Sequence, residues 1–158
     1  MTARRNPNSP NDQLDAQRLA SPEFSAFLGT LDSATTIIGA TDQILREADA
    51  GVTSREFDAL VFITAFGPLR PSELLRRVVL THSAQTLSSA IDRLEARGLA
   101  VRQRDPNDPR AVLLTATDSG TELIDRIFPH VYRRAIAPFT SRYSESELTT
   151  IAELFDRP

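Results

Sequence analysis

The chain has no cysteine, no lysine and no tryptophan, and a single methionine. Without cysteine there is no disulfide, no zinc ribbon, no thiol nucleophile and no thiol redox sensor. No apolar run approaches the 18 residues that would suggest a bilayer-spanning helix. The stretch Met1 to Pro10 holds arginines but no apolar segment of the kind a secretory signal needs. A cytoplasmic protein without a membrane partner is the simplest expectation. Enzyme chemistry is poorly provided for: there is no glycine-rich phosphate loop, and Ser88-Ser89 has no neighbouring base to activate a hydroxyl. The two histidines, His82 and His130, are far apart and have no helical carboxylate pairing, so neither a metal site nor a cofactor is expected.

What is present is one domain's worth of chain, 158 residues with 41% apolar content. All 18 basic residues are arginine, set against 21 acids, for a formal charge of −3. The sum hides the distribution. Residues 68–115 hold eight arginines and five acids, whereas the segments on either side are net acidic. Only the middle third presents positive charge to a partner.

Residues 1–20, rich in Asn, Pro, Asp and Arg, read as a flexible arm. Ser21-Pro22-Glu23 is a helix start, and Phe24, Phe27, Leu28, Leu31, Ile38 and Leu45 form one face of a long helix ending before Gly51. Thr53-x-x-Glu56 is a capping box opening a second helix, stopped by Gly67-Pro68. Arg70-Pro71-Ser72-Glu73 opens a short third helix. A fourth follows Leu80-Thr81-His82 and runs to about Arg97, closed by Gly98. The period then shortens. Leu99 to Arg104 and Ala111 to Thr115 read as strands, with residues 105–110 as a polar turn between them. Thr115-x-x-Asp118 and Ser144-x-x-Glu147 begin the last two helices. The fold class is mostly α with a small β-hairpin: a helix-turn-helix followed by a wing.

Such a unit must bury one face of its second helix and offer the other to the major groove. In 100° steps from Leu87, residues Ala84, Ala90, Ile91 and Leu94 all fall within about 60° of it and make the predicted buried stripe. His82, Gln85, Thr86 and Ser89 fall at roughly 160–260°, a short polar face free of acids. With Ser83 and Ser88 they are the candidate base-edge and phosphate contacts; Gln suits adenine, and small hydroxyls suit several edges. Arg93, Arg102, Arg104 and Arg110 are the candidate cationic contacts, the last three from the wing, where a thin arginine-bearing loop can enter a narrow minor groove. Asp105 and Asp108 would repel phosphate unless paired, so at least one is expected to hold an arginine; Asp108 is kept with the interface on that ground. Arg97 is expected to cap its helix, and Arg76 and Arg77 are surface residues or phosphate clamps.

The stretch Leu94-Glu95-Ala96-Arg97-Gly98-Leu99-Ala100-Val101-Arg102, then Asp105-Pro106-Asn107-Asp108-Pro109-Arg110, then Leu114-Thr115 with Gly120, resembles the MarR family of bacterial transcription regulators. The likeness covers roughly residues 23–157. It implies a homodimeric regulator, by default a repressor, on a pseudo-palindromic DNA operator. The winged helix-turn-helix would lie at about 53–116, and dimerisation helices at about 21–50 and 117–157. A small-molecule effector is implied too; Phe62, Phe66, Tyr132 and Arg133 are its candidate contacts, although aromatics at helical spacing also suit a core or a dimer seam. The chain departs from the family pattern in having Ala111 after Arg110, where a second wing arginine is common, and Ser89 where many members have arginine. The peroxide-sensing mode, which needs cysteine, is excluded. The competing reading is a winged-helix module that binds only protein; it would call for apolar or acidic residues at positions 85, 86 and 89.

Overall fold

The computed structural model describes residues 19–81 and 83–155; most of the predicted arm, and His82, lie outside them. The first compact unit ends at Thr36 and the second begins at Ile37. Helix α1 is Pro22–Glu47. The hydroxyl of Ser21 accepts the Phe24 N–H at 3.2 Å, and Pro22 takes the first helical position, where its missing N–H is no loss. Helix α2, Ser54–Phe66, has the capping box its sequence announces: Thr53 Oγ1 accepts the Glu56 N–H, and the Glu56 carboxylate accepts the Thr53 N–H at 3.0 Å. Its inward face is Phe57, Ala59, Leu60 and Ile63.

Helix α3 is Pro71–Leu75 and helix α4 is Ala84–Ala96, with Ser83 as N-cap. Leu87, Ala90, Ile91 and Leu94 of α4 are buried against the core that α2 also lines. The predicted Ala84 is not: it is exposed, because the first residue of α4 stands at the open end of the stripe, where it borders a cleft instead of the core. Gly98, at φ +68°, turns the chain out of α4 with a left-handed cap.

The hairpin is β1, Ala100–Asp105, paired antiparallel with β2, Asp108–Ala116. The six-residue turn expected from sequence is a two-residue turn, because Asp105 pairs with Asp108 and the strands extend to meet it. The register then slips: Arg104 faces Val112, leaving Pro109, Arg110 and Ala111 as an outward bulge. Pro109 has no N–H to give a ladder, and a bulge near the strand start is a place where a strand accommodates proline. Leu69 adds a bridge to Leu114 on the far side of β2, a third pairing with no counterpart in the sequence pattern.

Helix α5, Asp118–Val131, is capped by Thr117, not by Thr115 as the sequence spacing suggested; Thr117 Oγ1 accepts the Gly120 N–H at 3.1 Å. The helix passes through a wider π-turn, Tyr132–Ile136, into α6, Ala137–Thr140. Pro138 cannot donate to the carbonyl four residues back, and the turn before it opens to an i→i−5 bond between Ala137 and Tyr132. Helix α7, Glu145–Phe155, starts at the predicted Ser144–Glu147 box. Among the described residues no helix is long and apolar enough to cross a membrane.

Candidate nucleic-acid interface

The outward side of α4 carries Gln85, Thr86, Ser88 and Ser89, all exposed, and Ser83 is exposed just before it. Several of the hydroxyls are already occupied by local bonds. Ser83 Oγ accepts the Thr86 N–H at 3.1 Å and lies 2.8 Å from Thr86 Oγ1. Ser89 Oγ donates to the Gln85 carbonyl at 3.1 Å. The Gln85 amide and the Ser88 hydroxyl make no hydrogen bond among the described residues, and so are the least committed polar groups of this face. Ser88 also borders a cleft of about 380 Å³ lined by Pro71, Leu75, Leu87, Ile91, Arg102 and Val112.

Four of the eight arginines in the basic third are held by carboxylates. Arg70 reaches across from α3 to the wing, 2.8 Å from Asp105 and 3.8 Å from Asp108. The expectation that a wing acid would hold an arginine is therefore met, by an arginine that sequence reasoning had not singled out. Asp105 is buried, and its carboxyl sits below the ordinary range because the Asn107 N–H and the Arg70 guanidinium favour its charge. Arg102 lies between Asp92, at 2.7 Å, and Glu95, which it also contacts, while the Arg102 N–H donates to Glu95 at 2.8 Å. Arg102 thus ties β1 to α4. Arg93 and Arg97 both bind Glu56, a side chain with no solvent exposure. Arg97 has this carboxylate as its partner, where helix capping alone was expected.

Arg76, Arg104 and Arg110 are exposed, with no carboxylate in ion-pair range among the described residues. Arg110 stands on the wing bulge. Its backbone N–H donates to Asp108 at 3.1 Å, an Asx-type turn that shapes the bulge. Arg77 lies over the Phe66 ring, 4.8 Å from its centroid, and Phe66 stacks on Phe62 at 6.1 Å.

Of the residues named for an effector, Phe62 and Phe66 stack on each other, but among the described residues no contact joins that pair to Tyr132 or Arg133. Phe66 and Tyr132 are half-exposed, Phe62 is partly buried, and Arg133 donates to the Pro129 carbonyl of its own helix at 3.3 Å. A different cleft, about 450 Å³, is lined by Asp42, Arg46, Asp49, Val52, Thr53 and Arg97. Glu56 was legible in sequence only as a capping residue; that two arginines thirty-seven and forty-one positions later converge on it had no sequence signal.

The MarR family model matches residues 50–111, which span α2 to the wing bulge. The HTH-type transcriptional regulator PecS of Dickeya dadantii is 32% identical over 137 residues, covering 82% of this chain and 78% of PecS. The HTH-type transcriptional regulator YkoM of Bacillus subtilis is 36% identical over 88 residues, covering 55% of this chain and only 56% of YkoM's own length. A MarR family transcriptional regulator from Streptomyces coelicolor, solved in complex with DNA, superposes with a TM-score of 0.71 at 25% identity, covering 90% of this chain and 89% of that one. Family model, the likeness to PecS and the fold agree with the helix-turn-helix and wing described above, and this chain belongs to the MarR family of transcription regulators.

Proposed function

We propose that the protein is a homodimeric repressor that reads a pseudo-palindromic operator, with α4 of each subunit in successive major grooves and the wings beside them. The observation that carries this reading is the division of α4. Leu87, Ala90, Ile91 and Leu94 are buried, while Gln85, Thr86, Ser88 and Ser89 form an exposed, acid-free polar face at the end that would enter the groove. A face built to bind protein would be apolar or acidic there.

In this reading Gln85 and Ser88 meet base edges, and Ser83, Thr86 and Ser89 lie close to the backbone or to base methyls. Arg104 and Arg110 supply wing contacts, and the half-exposed Arg93 offers its remaining N–H groups to phosphate. Arg102 and Asp108 act through the arginine–acid contacts that shape the wing. The helix-turn-helix and wing occupy about 53–116, and helices at about 21–50 and 117–157 pair the subunits. The protein works with the DNA, in the cytoplasm. A small ligand would release it by favouring another spacing of the two DNA-binding lobes. One structural neighbour, the regulator CouR, is known both bound to a DNA duplex and bound to p-coumaroyl-CoA. Phe62, Phe66, Tyr132 and Arg133 are retained as candidate effector contacts.

The test is in-vitro selection of bound duplexes from a random pool. The reading expects an inverted repeat whose half-sites lie about 34–36 Å, one helical turn, apart. A pool with no enriched sequence, or an enriched sequence without two-fold symmetry, overturns it.

A further inference from the structure

We propose that Glu56 is a positioning residue for DNA recognition: a buried carboxylate on α2 that sets the roll of α4 and hence where its polar face meets the bases. The inference rests on the DNA-binding reading above. A capping box needs only a carboxyl or amide oxygen for the N-cap N–H, and glutamine would serve. Glu56 does more. One oxygen accepts the Thr53 N–H at 3.0 Å and the Arg97 guanidinium at 2.7 Å, and the other binds Arg93 Nε. Its side chain is wholly buried, whereas those of Arg93 and Arg97 are 50% and 42% exposed. An ionised carboxylate shut away from water is strongly disfavoured unless its oxygens are bonded, so both arginines are drawn to one fixed point.

The spacing makes that fixed point useful. Arg93 and Arg97 stand four residues apart, on the stripe that Gln85 and Ser89 continue toward the other end of α4. Leu87, Ile91 and Leu94 hold the helix by apolar packing, which has no directional preference. Two charged attachments one turn apart do have one: they specify both the roll of the helix and its position along its axis. With side-chain tips about 5–6 Å from the axis, a roll of 20° displaces a base-reading group by about 2 Å, enough to lose a hydrogen bond. The same carboxylate withholds part of the charge of two arginines from the phosphate backbone, which restrains sequence-independent binding.

Glu56→Gln tests this, because it keeps an acceptor for Thr53 and replaces the anion that binds the arginines. The selected duplex and a scrambled duplex are titrated by fluorescence anisotropy at several salt concentrations, with thermal melting in parallel. We expect the preference for the selected duplex to fall about tenfold, the scale of one misplaced base contact. The salt slope on the scrambled duplex should steepen by about one for each released arginine that reaches a phosphate. A tie that only stabilises the fold would lower the melting temperature and leave the preference unchanged; an unchanged preference overturns the proposal. If Glu56→Gln does not fold, Arg97→Gln, which removes one attachment and leaves the carboxylate paired with Arg93, is read the same way. A several-fold fall in preference supports the proposal and none overturns it. A pool with no enriched sequence removes the DNA reading itself, whereas an enriched sequence preferred equally by the variants removes this inference alone.

Discussion

Two carboxylates of α2, two residues apart, are driven in opposite directions. For Glu56, burial raises the pKa, but the Thr53 N–H and the Arg93 and Arg97 guanidiniums outweigh it, and the group sits below the ordinary glutamate value. For Asp58, burial prevails over the Leu80 and Val79 N–H groups that its Oδ2 accepts at 2.9 and 2.8 Å, and its pKa is raised. The consequences for stability have opposite signs. Glu56 contributes stability above the ordinary glutamate range, lost as pH falls through its depressed folded value. Asp58 ionises later in the folded protein than in the unfolded chain, so stability is lost as pH rises from the ordinary aspartate range through its raised folded value. Asp58→Asn keeps an oxygen for both N–H groups and removes the partly buried charge. Its melting temperature at pH 7 should equal or exceed that of the parent, and the advantage should shrink as pH is lowered toward about 4. A large destabilisation at pH 7 in a scanning-calorimetry series contradicts this account. The Thr53 contact follows from the capping box, but neither net shift can be read in the sequence, where both residues are acids in the first two turns of a helix; the other partners come from the turn before α4, from α4 and from its C-cap.

At the scale of elements, the sequence is most informative where a single residue type does a local job. Thr53 with Glu56, Pro71 at the start of α3, Gly98 after α4 and Ser144 with Glu147 all mark ends that the structure reproduces, because caps and left-handed turns are decided within four residues. The polar face and buried stripe of α4 were legible for the same reason, except at Ala84. What depends on partners outside the local segment was not legible: the Leu69–Leu114 bridge and the acids that hold Arg70, Arg93 and Arg102; nor was the cross-strand register that sets the two-residue turn and the wing bulge. Gly120 is an example with a testable outcome. It lies in the first turn of α5, and a Cβ built on it would fall 2.0 Å from the Leu99 carbonyl oxygen and 3.3 Å from Leu60. The first contact is with backbone, which cannot rotate aside as a side chain can. Gly120→Ala should therefore destabilise the protein by about 2–3 kcal/mol or more in urea unfolding, despite the better helix propensity of alanine. A neutral or stabilising result would show that α5 does not pack this closely on the β1 approach.

For the whole molecule, the telling quantity is the arrangement of charge, since the net value is small and negative. The positive third of the chain is less positive in space than in sequence, because four of its arginines answer acids within the same fold. What remains unpaired with acids in this third, among the described residues, is the exposed set of Arg76, Arg77, Arg104 and Arg110, beside an uncharged polar face on the N-terminal half of α4, an arrangement that favours reading over general adhesion. The apolar surface points elsewhere. In the first compact unit Phe27, Leu28 and Leu31 of α1 are 58%, 47% and 50% exposed, a row of large side chains on successive turns of a single helix. A second copy of the chain is the proposed cover. Light scattering at micromolar concentration should return twice the 17.4 kDa chain mass. A monomer mass with operator binding intact would overturn the two-fold arrangement.

The junction between the hairpin and α5 has a mechanical meaning of its own. Thr117 ties it to the end of α4, donating from Oγ1 to the Gly98 carbonyl at 2.6 Å and from its N–H to the Leu99 carbonyl at 3.1 Å, with Gly120 pressed on the latter carbonyl. These contacts join the two segments through backbone atoms, with no long side chain between them. A tilt of the beginning of α5 would therefore be passed to the end of α4, and α5 would serve as a crank arm for the helix proposed to read the DNA.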